Sequence, residues 1–403
     1  MRGKLVVGAT VPITAKLFLS DQLRFLANKG WEVHLVTSPG AELGDVARAF
    51  DGHPRLHIHT IPMAREPSPF NDARALIRWI ALLSRLQPDV VMSGTPKAGL
   101  LGMLAARVAG IKSRVYLLRG LRLEGLSGIS ARFHLVLERL TCAAATSVIC
   151  VSPSLKRVAG SRRIASTEKL MVLGSGGSNG VDIDKFCPAT PEQRTGARAQ
   201  FGIDKKVITV GFAGRLTHDK GLPWLVTAMR RVAQSHPNVW LVVAGSATGE
   251  ERPFTNLPIE EPWFHALGDV QDMPMFYRAL DVFCLPSLRE GFPNSTAEAL
   301  ATGIPVVTTD ATGCIDSVLH GETGLVVPTK DGVALARAIE VLVDRKDLRA
   351  RMGATGRAQA LSHWRNHDVW QRTSAFLAES ITPRRNNPRR RRRRSHDADS
   401  NSV

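Results

Sequence analysis

Short apolar runs alternate with longer amphipathic stretches along the 403-residue chain. Leu5–Ala9 reads as a first strand and Ala15–Lys29 as the helix behind it, stopped by Gly30. Glu32–Thr37 and Asp89–Ser93 predict further strands, the latter followed by a helix from Ala98. Val115–Leu118 and Ser147–Val151 extend the series. Strands alternating with helices in this order imply a parallel sheet covered on both faces. The stretch G-S-G-G-S-N-G-V-D-I-D-K-F-C-P-A-T-P, from residue 174 to 191, breaks the periodicity and reads as an irregular connection. A second series then begins, with a strand at Val207–Phe212 and a helix at Trp224–Ser235. Strands at Trp240–Ala244, Val282–Leu285, Val306–Thr308 and Gly324–Val327 follow. The stretch 364–378 predicts a final helix. The expected fold is therefore α/β in two similar-sized domains, 1–178 and 187–362, with a cleft between them. The segment 383–403 has almost no apolar content and is expected to be disordered.

Charge adds a preference for phosphate. The chain holds 53 Lys and Arg against 36 Asp and Glu, a net +17. The last 20 residues, with eight Arg and two Asp, carry +6 of this, so the body keeps +11. Such a balance seeks nucleic acid, anionic membrane or anionic substrates. Nucleic acid is supported by the Arg tail alone; there is no zinc-finger or RNA-recognition signature, and two Tyr make no stacking platform. Five scattered cysteines without a CxxC imply reduced thiols and no zinc site. Arg2 and Lys4 ahead of L-V-V-G-A-T-V-P-I-T-A resemble the start of a signal peptide. The run is short, and Lys16, Asp21 and Arg24 follow at once, which favours a buried first strand. The apolar run 99–111 includes Arg107 and is too short to span a bilayer. The chain is expected in the cytoplasm.

Two segments carry candidate chemistry. In G-F-A-G-R-L-T-H-D-K-G (211–221) a strand ends at Gly214, and Arg215 and Lys220 stand five apart ahead of a helix. Such a loop suits a diphosphate, with glycines admitting the phosphate oxygens and two cations neutralising them; a polar turn with solvated charges is the plainer alternative. In P-S-L-R-E-G-F-P-N-S-T-A-E-A-L-A-T-G-I-P-V-V-T-T (286–309), Glu290 lies in a loop and Glu298 about one turn inside the following helix. Carboxylates accept well from the vicinal hydroxyls of a sugar or ribose, although acidic residues near helix starts are common without any ligand.

Together, at these spacings, the two segments resemble family 4 of the retaining glycosyltransferases, and the resemblance covers nearly the whole chain. It includes the 174–186 spacer, F-H-A-L-G-D-V (264–270), G-E-T-G-L-V-V-P (321–328), T-P-K-A-G-L-L-G-M-L-A-A-R (95–107) and R-G-L-R-L-E-G (119–125). It is strongest with enzymes that build capsule, exopolysaccharide and lipopolysaccharide. The resemblance implies a GT-B fold, two Rossmann-like domains facing across a cleft, with the final helix (364–380) crossing back to the first domain. It implies that Arg215 and Lys220 grip the diphosphate of a nucleotide-sugar, most commonly a UDP-sugar, and that Glu290 holds hydroxyls of a hexose. Glu298 would hold the ribose, Val270 the base through its backbone, and Gly214, Gly291, Phe292 and Pro293 would line the pocket. Arg215, Lys220 and Glu290 are the catalytic candidates. No DxD-type cluster occurs in a donor loop, so no metal or other cofactor is expected. The chain departs from the family at Arg119, where many members have a histidine, so a histidine-based role does not carry over.

The implied acceptor is a glycan or a lipid-linked glycan, which would bring the enzyme to the inner face of the membrane. Arg65, Arg74, Arg78 and Arg85, interleaved with Leu76, Ile77, Trp79, Ile80, Leu82 and Leu83, have the period of a helix that could lie on anionic lipid. The same period describes an ordinary helix packed on its sheet. A nucleotide-sugar 2-epimerase of the same fold is the rival enzyme.

Overall fold

The computed structural model describes residues 2–64, 68–247 and 253–381. Arg65 and the 383–403 segment lie outside the described residues. The first sheet comprises β1 (Gly3–Gly8), β2 (Trp31–Thr37), β3 (Leu56–Thr60), β4 (Val90–Ser93), β5 (Ser113–Leu118), β6 (Ser147–Cys150) and β7 (Leu170–Met171). The second comprises β8 (Ile208–Ala213), β9 (Val239–Ala244), β10 (Phe264–Gly268), β11 (Val282–Leu285), β12 (Val306–Thr309) and β13 (Gly324–Val327). Their orders are β3-β2-β1-β4-β5-β6-β7 and β10-β9-β8-β11-β12-β13. All the pairings within them are parallel, as the strand–helix alternation requires. β1 shows why: Leu5 and Val7 enter one buried layer and Val6 the other, so helices must cover both faces.

The winding reverses beside the first strand of each sheet, between β1 and β4 and between β8 and β11. At such a switch point the loops leave in opposite directions and open a crevice at the C-terminal strand edge.

The expected helix at 15–29 is two, Pro12–Phe18 and Ser20–Asn28. The chain turns at Leu19, and the Ser20 hydroxyl donates to the Ala15 carbonyl at 2.9 Å. Strands β3, β7 and β10 were not anticipated. The helix Pro69–Leu86 is of the packed kind: Ala75, Trp79, Leu82 and Leu83 are buried in the core, so most of its apolar side is unavailable to lipid. The last helix, Asn366–Ile381, lies on the first sheet. The Trp31 Nε1–H and the Arg2 guanidinium donate to Ser374 Oγ at 3.1 and 3.0 Å. The five cysteines are free thiols, and all but Cys187 are buried. Among the described residues no helix is long and apolar enough to cross a membrane.

Candidate active site

The β8 and β11 loops flank the switch point of the second sheet. After β8 the chain passes Gly214 and Arg215, makes a tight turn at His218–Lys220, and enters the helix Leu222–Ser235 through Gly221. Gly221 has φ +81°, and a Cβ there would meet the Pro286 carbonyl oxygen at 1.9 Å. Only glycine lets the two loops touch there. Their contact carries Lys220 Nζ to 2.6 Å from Glu290 Oε1, which also accepts from Ser287 Oγ at 2.9 Å. This pair is nearly buried, with side-chain exposures of 17% and 14%.

Asp219 organises the other cations. It accepts from Thr217 Oγ1 at 2.5 Å and from the Arg289 guanidinium at 3.0 Å, and stands 3.9 Å from the Arg215 guanidinium. Burial alone would raise its carboxyl; the Thr217 hydroxyl and the neighbouring Arg289, Arg215 and Lys220 charges outweigh it and hold the group below the usual carboxylate range.

Glu298 sits in the helix Asn294–Ala301 and receives the Tyr277 hydroxyl at 2.9 Å. Burial pushes its carboxyl up to about 7, against the lowering effect of that bond. Thr296, fully buried in the first turn of the same helix, has a hydroxyl oxygen without a partner. Buried orphans of this kind ask for a ligand or a water. Val270 lies just past β10, at the same C-terminal edge. Phe292 packs edge-on against Trp364 at 5.2 Å, and Pro293 precedes the helix. The structure thus gathers Gly214, Arg215, Lys220, Glu290, Gly291, Phe292, Pro293 and Glu298 around one edge. Tyr277, Asp219, Ser287 and Thr296 escaped sequence reasoning, since only packing brings them to the motif residues.

The first domain closes on this edge. A Cβ on Gly291 would meet the Arg119 carbonyl oxygen at 1.8 Å, and one on Gly313 the Gly291 carbonyl oxygen at 2.5 Å. Thr312 Oγ1 lies 2.7 Å from Glu124 Oε1, and the Gly313 N–H donates to Ser154 Oγ at 2.7 Å. The Ser154 N–H donates to Asp316 Oδ2 at 2.8 Å. Arg119 donates to Asn179 Oδ1 at 3.2 Å, and burial draws its guanidinium down to about 10. His134 lies 2.9 Å from the Ser130 carbonyl of its own helix, and His218 packs edge-on against Phe254.

Among the described residues one side-chain group could share a metal ion: Glu32, His34 and His57, with ligand atoms within 4.8 Å of one another. It lies near the starts of β2 and β3, at the opposite end of the strands from the cleft.

A model described as "Glycosyl transferase 4-like domain" matches residues 17–176, and one described as "Glycosyl transferases group 1" matches 207–345. The capsular polysaccharide biosynthesis glycosyltransferase CapM of Staphylococcus aureus is 33% identical over 387 residues, covering 93% of this chain and 97% of that one. The chain belongs to the family 4 glycosyltransferases. It is a glycosyltransferase of cell-surface polysaccharide synthesis, and the expected GT-B architecture is what the two facing sheets form. A solved structure of Anabaena HepE in complex with UDP and glucose superposes on this transferase with a TM-score of 0.76 at 21% identity, covering 94% and 100% of the two chains. WaaG, a glycosyltransferase involved in lipopolysaccharide biosynthesis, gives 0.69 at 14% identity, covering 93% and 99%. A further relative is the Escherichia coli UDP-Gal:alpha-D-GlcNAc-diphosphoundecaprenol alpha-1,3-galactosyltransferase, 25% identical over 81% of this chain and 84% of that one.

Proposed function

We propose that this transferase moves a hexose from a nucleotide-sugar, a UDP-sugar first among candidates, to a lipid-linked glycan, retaining the anomeric configuration. One observation carries the proposal: at the switch point, the Lys220–Glu290 pair joins a diphosphate-sized cationic loop to a carboxylate suited to sugar hydroxyls, with the buried Glu298 behind it. The names of relatives agree, since one uses UDP-Gal and a diphosphoundecaprenol acceptor and a fold neighbour holds UDP-glucose.

In the proposed reaction the donor parts the ion pair. Lys220 and Arg215 turn to the diphosphate, and Glu290 accepts from the sugar hydroxyls. Glu298 takes the ribose, the backbone near Val270 the base, and Gly214, Gly291, Phe292 and Pro293 shape the pocket. The bond from the anomeric carbon to the phosphate oxygen breaks, its electron pair going to the diphosphate. The acceptor oxygen bonds to the same face of that carbon, and its proton passes to the departing phosphate. The protein supplies alignment and positive charge on the leaving group. Glu290 and Glu298 do not flank a glycosidic bond as a hydrolase pair does. Two cations at the diphosphate make a metal unnecessary.

The test is a donor screen by released nucleotide, with and without a lipid-linked acceptor extract and with EDTA. Acceptor-dependent release that survives EDTA is expected. Donor interconversion without acceptor would indicate an epimerase, and restoration by Mg²⁺ after EDTA loss would assign the diphosphate to a metal.

A further inference from the structure

The outer edge of the first sheet carries side chains that sugar transfer does not use. Glu32 and His34 stand two apart on β2, and His57 and His59 two apart on β3, so each pair points to one face of its strand. The parallel register sets His34 beside His57, and Lys4 of β1 beside Glu32. All of them therefore share the face that also bears Val6 and Val36, which pack with Trp79 and Leu83 of the helix Pro69–Leu86. Elsewhere on this face the strands present aliphatic side chains. Three imidazoles and a carboxylate are a costly filling for such a place unless each finds a polar partner.

His34 is the centre of the group and is buried, at 5% exposure. Its Nε2 lies 3.0 Å from Glu32 Oε1, and its Nδ1 lies 2.9 Å from His59 Nε2. The half-buried His57 ring stacks on it, with ring centres 4.7 Å apart. One ligand atom from each of Glu32, His34 and His57 lies within 4.8 Å of the other two. Glu32 is held below the usual carboxylate range although burial acts the other way, because the His34 bond and the Lys4 charge outweigh it. Burial lowers the His34 imidazole, which keeps its lone pair available.

We propose that Glu32, His34 and His57 hold one divalent ion of the zinc class, which ties the outermost strand β3 to β2, with His59 orienting His34. Two imidazole nitrogens and one carboxylate oxygen suit zinc, whereas magnesium and calcium favour oxygen ligands throughout. The donors include no thiol, so the cysteine pattern does not bear on this site. The ion takes the place of the proton between His34 Nε2 and Glu32 Oε1. His34 then carries its proton on Nδ1 and donates it to His59 Nε2, the way a metal-bound imidazole is commonly fixed. His59 can accept, because burial and the cationic His34, Arg85 and His57 around it hold its imidazole down to about 4. His57 swings its lone pair from the stacked position to the ion, towards the roughly 3.3 Å that separates ligand atoms on tetrahedral zinc. Lys4 Nζ, 3.7 Å from Glu32 Oε1, keeps the Leu86 carbonyl at 3.1 Å as its partner. The group lies at the opposite end of the strands from the cleft, so the ion is a clamp on the sheet edge and takes no part in transfer.

The test uses the untagged full chain, stripped with EDTA and dialysed free of it, then titrated with ZnCl₂ and, in a second series, with CoCl₂. One saturable ion per chain is expected, with the visible absorption of four-coordinate Co²⁺ and a melting temperature that rises with zinc, since the ion binds the folded form. His57→Ala and Glu32→Gln change half-buried positions and should melt cooperatively without metal; either one carries the test. Each should weaken zinc on the order of a hundredfold and lose the cobalt absorption, because a ligand is gone. His59→Ala should weaken zinc by about ten- to a hundredfold while the stoichiometry stays at one ion. His134→Ala, outside the group, should change nothing, and metal-free transfer should be the same in all four variants. No saturable zinc and no shift in melting of the parent chain would leave a proton-bridged stack of imidazoles and overturn the proposal. Zinc bound as tightly by His57→Ala and Glu32→Gln as by the parent would put the ion elsewhere and equally overturn it.

Discussion

Lys220 and Glu290 neutralise each other in the structure, and in the proposed reaction the donor would give each a second partner. Glu290→Ala is expected to nearly abolish turnover while cooperative melting persists; near-parental turnover would remove Glu290 from the site. Arg215 and Lys220 differ from an ordinary docking pair if their bonds strengthen as the leaving group gains charge. Loss of either should then lower kcat, on the order of 10²–10³-fold for one such donor. The double variant should cost less than the two singles combined, because both act on one group. Additive losses confined to KM would reduce the pair to a docking role. Glu298 adds a pH dependence. Its carboxyl, at about 7 against an ordinary 4.5, stays protonated in the folded chain well above the pH at which the unfolded chain ionises it. Its contribution to fold stability therefore declines from about pH 4.5 to about 7. The ionised form is the better acceptor for two ribose hydroxyls, so donor KM should fall as pH rises through 7. Tyr277→Phe removes the bond that lowers this group and should move that limb to higher pH, and Glu298→Gln should erase it. A KM profile flat across pH 6 to 8 in the parent enzyme would remove Glu298 from donor binding.

Individual elements differ in how openly the sequence displays them. The strands Val282–Leu285 and Val306–Thr309 are short β-branched and apolar runs between turn signals, and were legible almost to the residue. Leu56–Thr60, L-H-I-H-T, was not, because its polar positions are imidazoles that stack on the His34 ring from the neighbouring strand. Phe264–Gly268 stands out in the sequence as a motif and not as a strand, and its register shifts between Ala266 and Gly268. The motif loops were legible because glycine, cations and carboxylates recur there at fixed spacing. Tyr277 was invisible because it meets Glu298 only through the packing of the Met273–Arg278 helix. The Glu290–Gly291 segment also fixes how closely the domains approach. Gly291→Ala would push a methyl group into the Arg119 carbonyl, where both sides are backbone and neither yields. In this variant kcat should fall and small-angle scattering should report a wider molecule. Unchanged kcat would mean that catalysis does not require this approach.

At the scale of the whole molecule, two sheets with the same reversal of winding face one cleft, and the chain crosses between them twice, at the 174–191 connection and again before Asn366. The second crossing should show in a truncation. Removing Asn366–Ile381 uncovers Trp31 and the layer around Leu377, so the first domain should lose stability although the deletion lies at the other end of the sequence. Limited proteolysis or hydrogen exchange would locate the loss, and protection lost only in the second domain would contradict it. The same helix sets a schedule for synthesis. Trp31 leaves the ribosome 343 residues ahead of the serine that binds it. At roughly 10 residues per second its indole face waits on the order of half a minute for cover. The amino-terminal half cannot finish folding before the carboxyl-terminal half has been made, so a nascent chain stalled late in translation should present a sticky, chaperone-dependent first domain beside an already competent second one.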